Sequence, residues 1–158
     1  MSMGRLAMSV RMEPLRKLQR ESPKLFEKAE AKGAIAFLNW CNLGSGKASR
    51  KPPIRWGVLR GSSSALVAGK IVFIFPQSIQ GGNESVTPAR SFRAEPFVIT
   101  WVWNTDYATK MHEWEGGWGK FTLQDTDAGN QWLMMHLQAD KDDLMTVIAK
   151  EYKALAGT

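Results

Sequence analysis

The chain has 158 residues, of which 44% are hydrophobic, and its formal net charge at pH 7 is +6. This length corresponds to about one domain with a buried core. No run of about 18 apolar residues occurs, so the sequence predicts no membrane-spanning helix, and the N-terminus lacks the apolar stretch of a secretory signal. The single cysteine, Cys41, excludes an internal disulfide and a multi-cysteine metal site, so we expect a reducing cytosol as the place of synthesis.

The charge is distributed unevenly along the chain. Residues 1–60 contain 13 Lys and Arg against 4 Glu, whereas residues 61–158 contain 8 against 11 acidic residues. A basic half and an acidic half can indicate a nucleic-acid surface. The same asymmetry also suits identical subunits that associate head to tail. The sequence does not separate these two interpretations.

Apolar residues near the N-terminus recur at spacings of three and four: Met8, Met12, Leu15 and Leu18. This spacing predicts a short amphipathic helix. Pro14 restricts it to a late start or a kink, because proline is tolerated only in the first turn of a helix. We therefore assign residues 1–21 to an N-terminal arm or short helix and residues 22–158 to a single domain.

A second helix is predicted to begin at Ser22-Pro23, an N-cap residue followed by proline at the first helical position. Its apolar side consists of Leu25, Phe26, Ala29, Ala36 and Phe37. Gly33 is a weak point within it, and the helix should end before residues 42–46. Cys41, near its end, is interpreted as a small buried hydrophobic residue.

The middle of the chain predicts two buried strands. Residues 47–55 are polar, basic and proline-containing, which indicates a loop, and residues 56–64 predict one helical turn that leads into a strand. Residues 65–75 are rich in β-branched and aromatic side chains, which favours one buried strand, or two halves with a bulge near Gly69. Residues 97–104 have the same character.

Between these strands, residues 76–96 form a long segment of turn-forming residues. So long a loop in a compact domain is usually functional or disordered. The last element is the clearest helix, predicted over residues 128–155 with Asp127 as N-cap unless Ala139-Asp140 interrupts it. The chain is therefore expected to be an α+β protein, with N-terminal helices and a long C-terminal helix packed on a small, mostly antiparallel β-sheet.

His112-Glu113 is the first candidate for chemistry. A zinc protease helix requires a second histidine four residues after the first, but position 116 is glycine. A metal site with His112 would require the fold to bring other ligands to it, from among His136, Asp106, Glu113 and Glu115. The alternative is a partly exposed histidine on a short helix or turn, packed over Trp114 and Trp118.

Glycines at positions 57, 61 and 69 are the second candidate. They match neither phosphate-binding glycine motif, and they precede a strand where a phosphate loop must follow one. Ser62–Ser64 lack the flanking glycines of a hydrolase nucleophile. The sequence therefore predicts no nucleotide site, no cofactor and no enzymatic activity.

A basic run is the third candidate, and it consists of Lys47, Arg50, Lys51, Arg55 and Arg60. Such a cluster on a loop is sufficient for contact with a nucleic-acid backbone, and Trp56 could stack on a base. No known nucleic-acid-binding signature accompanies it. Alternatively, these basic side chains are solvated at the surface or form salt bridges to a partner protein.

Two short motifs occur in a fixed order. WGVLRGS at residues 56–62 follows the proline-containing loop and precedes a strand, and NTDYATKMHEWEGG at residues 104–117 follows the later strand. GKF at residues 119–121 and the long final helix come next. This order resembles the small neck or tail-completion proteins of long-tailed bacteriophages, the minor structural proteins that join head to tail.

The resemblance implies roles for matching residues. The family's proline-containing loop corresponds to Pro53, and the glycine, leucine, arginine and serine turn that follows it corresponds to Gly57, Leu59, Arg60 and Ser62. The tyrosine-alanine pair and the following turn correspond to Tyr107, Ala108, His112 and Glu113. We expect His112 and Glu113 to orient a turn at a subunit contact, together with Trp114 and Trp118.

The resemblance also implies a function. The chain would be a structural virion protein, made in the host cytoplasm, that forms a ring, commonly a hexamer, in the phage neck. This ring would complete or terminate the tail and contact other neck, tail-tube or connector proteins, with non-specific contact to DNA in the channel. The alternative function is nucleic-acid binding through the basic loop 47–60.

Overall fold

A four-stranded antiparallel sheet is the centre of the fold. The computed structural model describes residues 5–48, 58–76, 87–105, 108–113 and 132–157. The strands are β1 (Leu6–Arg11), β2 (Ser63–Val67), β3 (Lys70–Ile74) and β4 (Val98–Trp103). Their order across the sheet is β1-β4-β2-β3, so the first strand of the chain lies beside the last. The predicted α+β class and antiparallel sheet are confirmed.

Five helices accompany these strands in the described part of the chain: α1 (Arg16–Glu21), α2 (Pro23–Leu43), α3 (Val58–Gly61), α4 (Ala108–Glu113) and α5 (Trp132–Ala156). A 3-10 turn, Glu13–Leu15, precedes α1. Helix α2 contacts β2, β3 and β4, and α5 packs along α2. Among the described helices, none is long and apolar enough to cross a membrane.

The N-terminal segment differs from its predicted structure. Residues 6–11 form strand β1, not the start of a helix, and they pair with β4 in register Met8↔Trp101. Leu6, Met8 and Val10 alternate along β1 and pack against the main core, which is the period of a strand. Of the four apolar residues that predicted a helix, only Met8 lies in β1. The helical part starts late, after Pro14.

The apolar segment 65–75 folds as a hairpin, not as one strand. Strands β2 and β3 are joined by Ala68 and Gly69, whose φ angles are 53° and 79°. Positive φ at both central residues is typical of the two-residue hairpin turn that matches the twist of the strands. The segment is divided in two at Gly69, as one of the two predictions had it, but by a chain reversal and not by a bulge. The register shift lies elsewhere, between Ala65 and Leu66.

The two long helices agree with the sequence pattern. Helix α2 begins after Ser22 and ends before Gly44, which has a φ of 65° and so terminates the helix in the left-handed conformation. Ser22 makes no side-chain capping bond. Helix α5 continues without a break through Ala139 and Asp140, and the predicted N-cap Asp127 lies outside the described residues.

At Gly33, α2 packs directly against α5, with no room for a side chain between them. A Cβ atom at this position would lie 2.5 Å from Ile148 Cγ1 and 3.2 Å from Leu144 Cδ1. The glycine is therefore a packing requirement, and its low helix propensity is tolerated because it lets the helices touch.

We expect Gly33→Ala to lower the free energy of unfolding by about 1 kcal/mol, because the overpacking cost of about 1–3 kcal/mol exceeds the helix propensity gain of about 1 kcal/mol. In an Ile148→Ala background, the added methyl group should instead stabilise the protein. Urea denaturation of the four variants measures this reversal of sign. A stabilising effect of Gly33→Ala in both backgrounds would show that the helices do not touch here.

Candidate functional site at one end of the sheet

Several elements meet where β2 begins and β4 ends. Asn42, in the last turn of α2, donates from Nδ2 to Ser63 Oγ at 2.8 Å. Its Oδ1 accepts a hydrogen bond from Trp103 Nε1 at 3.1 Å. All three side chains are fully buried. Because buried polar groups are stable only when paired, Asn42 fixes the end of α2 against both strands.

The turn formed by α3 is held by serine hydroxyl groups. Ser62 Oγ donates to the Leu59 carbonyl and Ser63 Oγ donates to the Arg60 carbonyl, each at 2.6 Å. The backbone N–H of Asn104 donates to the Ser62 carbonyl at 3.2 Å, which joins this turn to the end of β4. Buried hydroxyl groups explain the serine run structurally, since they complete the hydrogen bonding of the turn.

His112 lies in α4 and is only 2% exposed, so the predicted partly exposed histidine is wrong. Its Nδ1 is 2.8 Å from Glu113 Oε1, and its Nε2 is buried without a hydrogen-bond partner among the described residues. Burial lowers the pKa of His112 from its usual 6.5, although the hydrogen bond and charge of Glu113 act in the opposite direction. The imidazole is therefore neutral at pH 7, and its Nδ1–H donates a hydrogen bond to Glu113 Oε1.

The aromatic neighbour of His112 is Trp132, the first residue of α5. The two rings meet edge to face with centroids 4.9 Å apart, and Trp132 also meets Trp103 at 6.0 Å. The predicted packing partners, Trp114 and Trp118, lie outside the described residues. This aromatic row connects α4, α5 and β4, because edge-to-face pairs fix the relative orientation of their elements.

A second polar cluster lies where the basic segment begins. His136 Nδ1 is 2.6 Å from Asp140 Oδ2, and Asp140 Oδ1 accepts the backbone N–H of Lys47 at 2.6 Å. Lys47 Nζ is also 3.5 Å from Asp143 Oδ2.

Cys41 is fully buried, as predicted. Burial raises the pKa of its thiol well above 9.0, so the thiol is unreactive.

The structure places two members of the predicted basic loop. Lys47 is tied to α5, and Arg60 is 6% exposed and engaged in contacts. Arg60 is therefore not part of an exposed basic surface on this chain. The other members lie outside the described residues: Arg50, Lys51 and Arg55.

The residues selected through the phage resemblance come from two separate segments. The described ones lie on α3, at its junction with β2, and on α4: Leu59, Arg60, Ser62, Ala108, His112 and Glu113. Both segments join this end of the sheet, since Ser62 is bonded to Asn104 and Ala108 N donates to the Thr105 carbonyl at 3.3 Å. Pro53, Gly57 and Tyr107 lie outside the described residues.

Sequence reasoning missed the buried polar residues on the long helices. Asn42, Asp140 and Glu30 are all fully buried. A signal existed, because His136 and Asp140 are four residues apart and so share one helical face. Glu30 likewise follows Phe26 by four residues on the apolar side of α2.

Chemically, this end of the sheet is a buried joint of aromatic rings and paired polar groups. The described residues hold no group of three or more His, Cys, Asp or Glu side chains that could bind a metal ion. The fold and site thus define an α+β protein in which strands and helices are locked together at one end. No protein-family model, curated protein or solved structure matches the chain.

Proposed function

We propose that the chain is a structural virion protein of a tailed bacteriophage, forming a ring in the neck that completes or terminates the tail and joins it to the head. The observation that supports this most is the convergence of the two motifs. Ser62 and Ala108 lie 46 positions apart in the sequence, yet both segments flank the end of β4. Because the fold brings the two short motifs to the same place, it supports the resemblance that rests on them.

The chemistry of the joint also suits a structural role. His112 is buried and neutral, and its hydrogen bond to Glu113 orients the end of α4. Glu113 itself remains 46% exposed, so the turn presents a carboxylate at the surface, where a neighbouring subunit can contact it. Trp101, Trp103 and Trp132 are buried in the core, so they are not available to a neighbouring subunit. The uneven charge along the chain fits subunits that associate through opposite charges.

The test is the mass of the purified full chain in solution. We expect a mass near six times 17.7 kDa and annular particles in negative-stain micrographs. Glu113→Lys should shift the mass toward the monomer by reversing charge at the proposed contact. Glu21→Lys, an equal reversal on the exposed end of α1, should not. A chain that stays monomeric at high concentration, alone and with other neck or tail proteins of its phage, would contradict the proposal.

The alternative function is nucleic-acid binding through the basic loop. The structure supports it less than the sequence does, because fewer of the loop's cations are available for contact. Arg60 is buried. Lys47 Nζ is 3.5 Å from Asp143 Oδ2, but the Lys47 side chain is 65% exposed, so water screens this pair. The proposed contacts are therefore Lys47, Arg50, Lys51 and Arg55. Neutralising Lys47, Arg50 and Lys51 should abolish salt-sensitive retention on DNA if the loop is the binding surface.

A further inference from the structure

The face of the sheet opposite α2 is covered by an irregular segment, residues 87–95. Three hydrogen bonds tie this segment across the sheet: Asn104 Nδ2 donates to the Thr87 carbonyl at 2.7 Å, Ser64 Oγ donates to the Ala89 carbonyl at 2.7 Å, and Phe92 N donates to the Gly69 carbonyl at 3.1 Å. The segment is therefore a fixed part of the fold along this face.

The side chains of the segment divide into two sets. Ala89 and Phe92 pack onto Leu66, Val102 and Ala7 in a small second core. Arg90 and Arg93 are exposed. Because Ala89 and Phe92 pack inward, the segment keeps Arg90 and Arg93 at the surface.

Strand β1 adds two further arginines to this face. Arg5 and Arg11 have the same parity as Ala7 and Ser9, whose partners Val102 and Thr100 lie on the side away from α2. Arg5 Cζ lies 5.3 Å from the centre of the Phe92 ring, a cation–π distance. We call Arg5, Arg11, Arg90 and Arg93 the arginine face.

Only one acidic residue, Glu95, occurs within residues 87–95. Its Oε2 is 2.9 Å from Arg11 Nη2, with both side chains about half exposed, so water screens this pair. The arginine face thus keeps a positive excess. A cavity of about 100 Å³ opens beside Arg93 and Glu95 and is also lined by the hydroxyl-bearing Ser9 and Thr100, which are hydrogen-bonded to each other at 2.8 Å.

The spacing of the arginines indicates the shape of the ligand. Arg11 ends β1 and Arg5 directly precedes it, so their Cα atoms are about 20 Å apart at roughly 3.3 Å per residue. One phosphate ion cannot bridge that distance, whereas duplex DNA carries a charge about every 1.7 Å along its axis. Guanidinium groups also match phosphate geometry better than lysine does.

We infer that the arginine face binds the phosphate backbone of double-stranded DNA without sequence preference. This surface is distinct from the basic loop 47–60 and lies on the opposite side of the sheet from α2. The inference does not depend on ring formation, because DNA binding and subunit mass are measured separately.

The experiment is retention of a 30-base-pair duplex of arbitrary sequence by the purified full chain over a range of salt concentrations. Arg90→Gln/Arg93→Gln should weaken binding roughly tenfold or more near 0.1 M salt and reduce the slope of log affinity against log salt by about 2, since each phosphate contact contributes about 0.9. Glu95→Gln should strengthen binding, because it removes the carboxylate that pairs with Arg11.

The matched control is Lys24→Gln/Lys28→Gln, which removes the same charge from exposed positions on α2. Circular dichroism should show that every variant is folded. An equal loss of affinity in the Lys24/Lys28 and Arg90/Arg93 variants would overturn the inference, because net charge would then explain binding. Wild-type retention on poly-glutamate but not on DNA would also overturn it and assign the face to an acidic protein.

Discussion

Glu30→Gln is expected to make the protein more stable at pH 9, by up to about 5 kcal/mol, and to leave its stability below pH 4.5 nearly unchanged. Glu30 is fully buried on α2, and neither carboxylate oxygen has a hydrogen-bond partner among the described residues. Burial, assisted by the charge of Glu27 and opposed by Arg11, raises the pKa of Glu30 from 4.5 to about 8.

The direction of the pH effect on stability depends on whether the folded or the unfolded state keeps the Glu30 proton. Between pH 4.5 and about 8, the unfolded chain loses the Glu30 proton while the folded chain keeps it. The unfolded state is therefore favoured progressively as the pH rises through this window, and the loss is complete above a pH of about 8. The difference between the two pKa values corresponds to about 5 kcal/mol at most, and glutamine cannot ionise in either state.

Urea denaturation between pH 4 and pH 9 measures this effect. The matched control is Glu21→Gln at an exposed position on α1, which should change stability by well under 1 kcal/mol at all pH values. If the Glu30→Gln and wild-type stabilities ran parallel from pH 4 to pH 9, the carboxyl would be ionised normally and not desolvated in the folded protein.

Asp140→Ala is expected to lower the free energy of unfolding by about 3 kcal/mol. The carboxylate accepts the backbone N–H of Lys47 and contacts His136 Nδ1, both at 2.6 Å, and it is 0% exposed. Removing it takes away the acceptor of the part-buried Lys47 N–H and the partner of His136 Nδ1, and the loss of a hydrogen bond to a buried group costs about 1–3 kcal/mol. Asp140→Asn keeps an acceptor oxygen and should cost about half as much.

Hydrogen exchange distinguishes this mechanism from general destabilisation. The amide of Lys47 should exchange faster in Asp140→Ala by a larger factor than amides in the middle of α2. Asp142→Ala, an exposed position on the same helix, should change stability by less than about 0.5 kcal/mol. Equal effects of the two substitutions would mean that Asp140 does not hold the turn at Lys47.

The sequence did not predict how the candidate site is built. The motifs behind the phage resemblance named Ser62 and His112, and the structure places their segments at the same end of the sheet, but the buried polar residues Asn42 and Asp140 were missed. The burial of His112 was not predictable, because it depends on Trp132, 20 positions further along. The arginine face was likewise invisible, since it joins β1 to a loop that follows β3.

The sequence by itself determined α2, α5 and β4. A long helix repeats its apolar face every three to four residues, and a buried strand is a short run of β-branched and aromatic residues, so both patterns are local. Tertiary structure decided the rest. Residues 6–11 became a strand because β4 offered an unpaired edge, and Glu30 became desolvated because its helix packs into the core. Strand pairing and desolvation depend on which distant elements come together, and no local period encodes that.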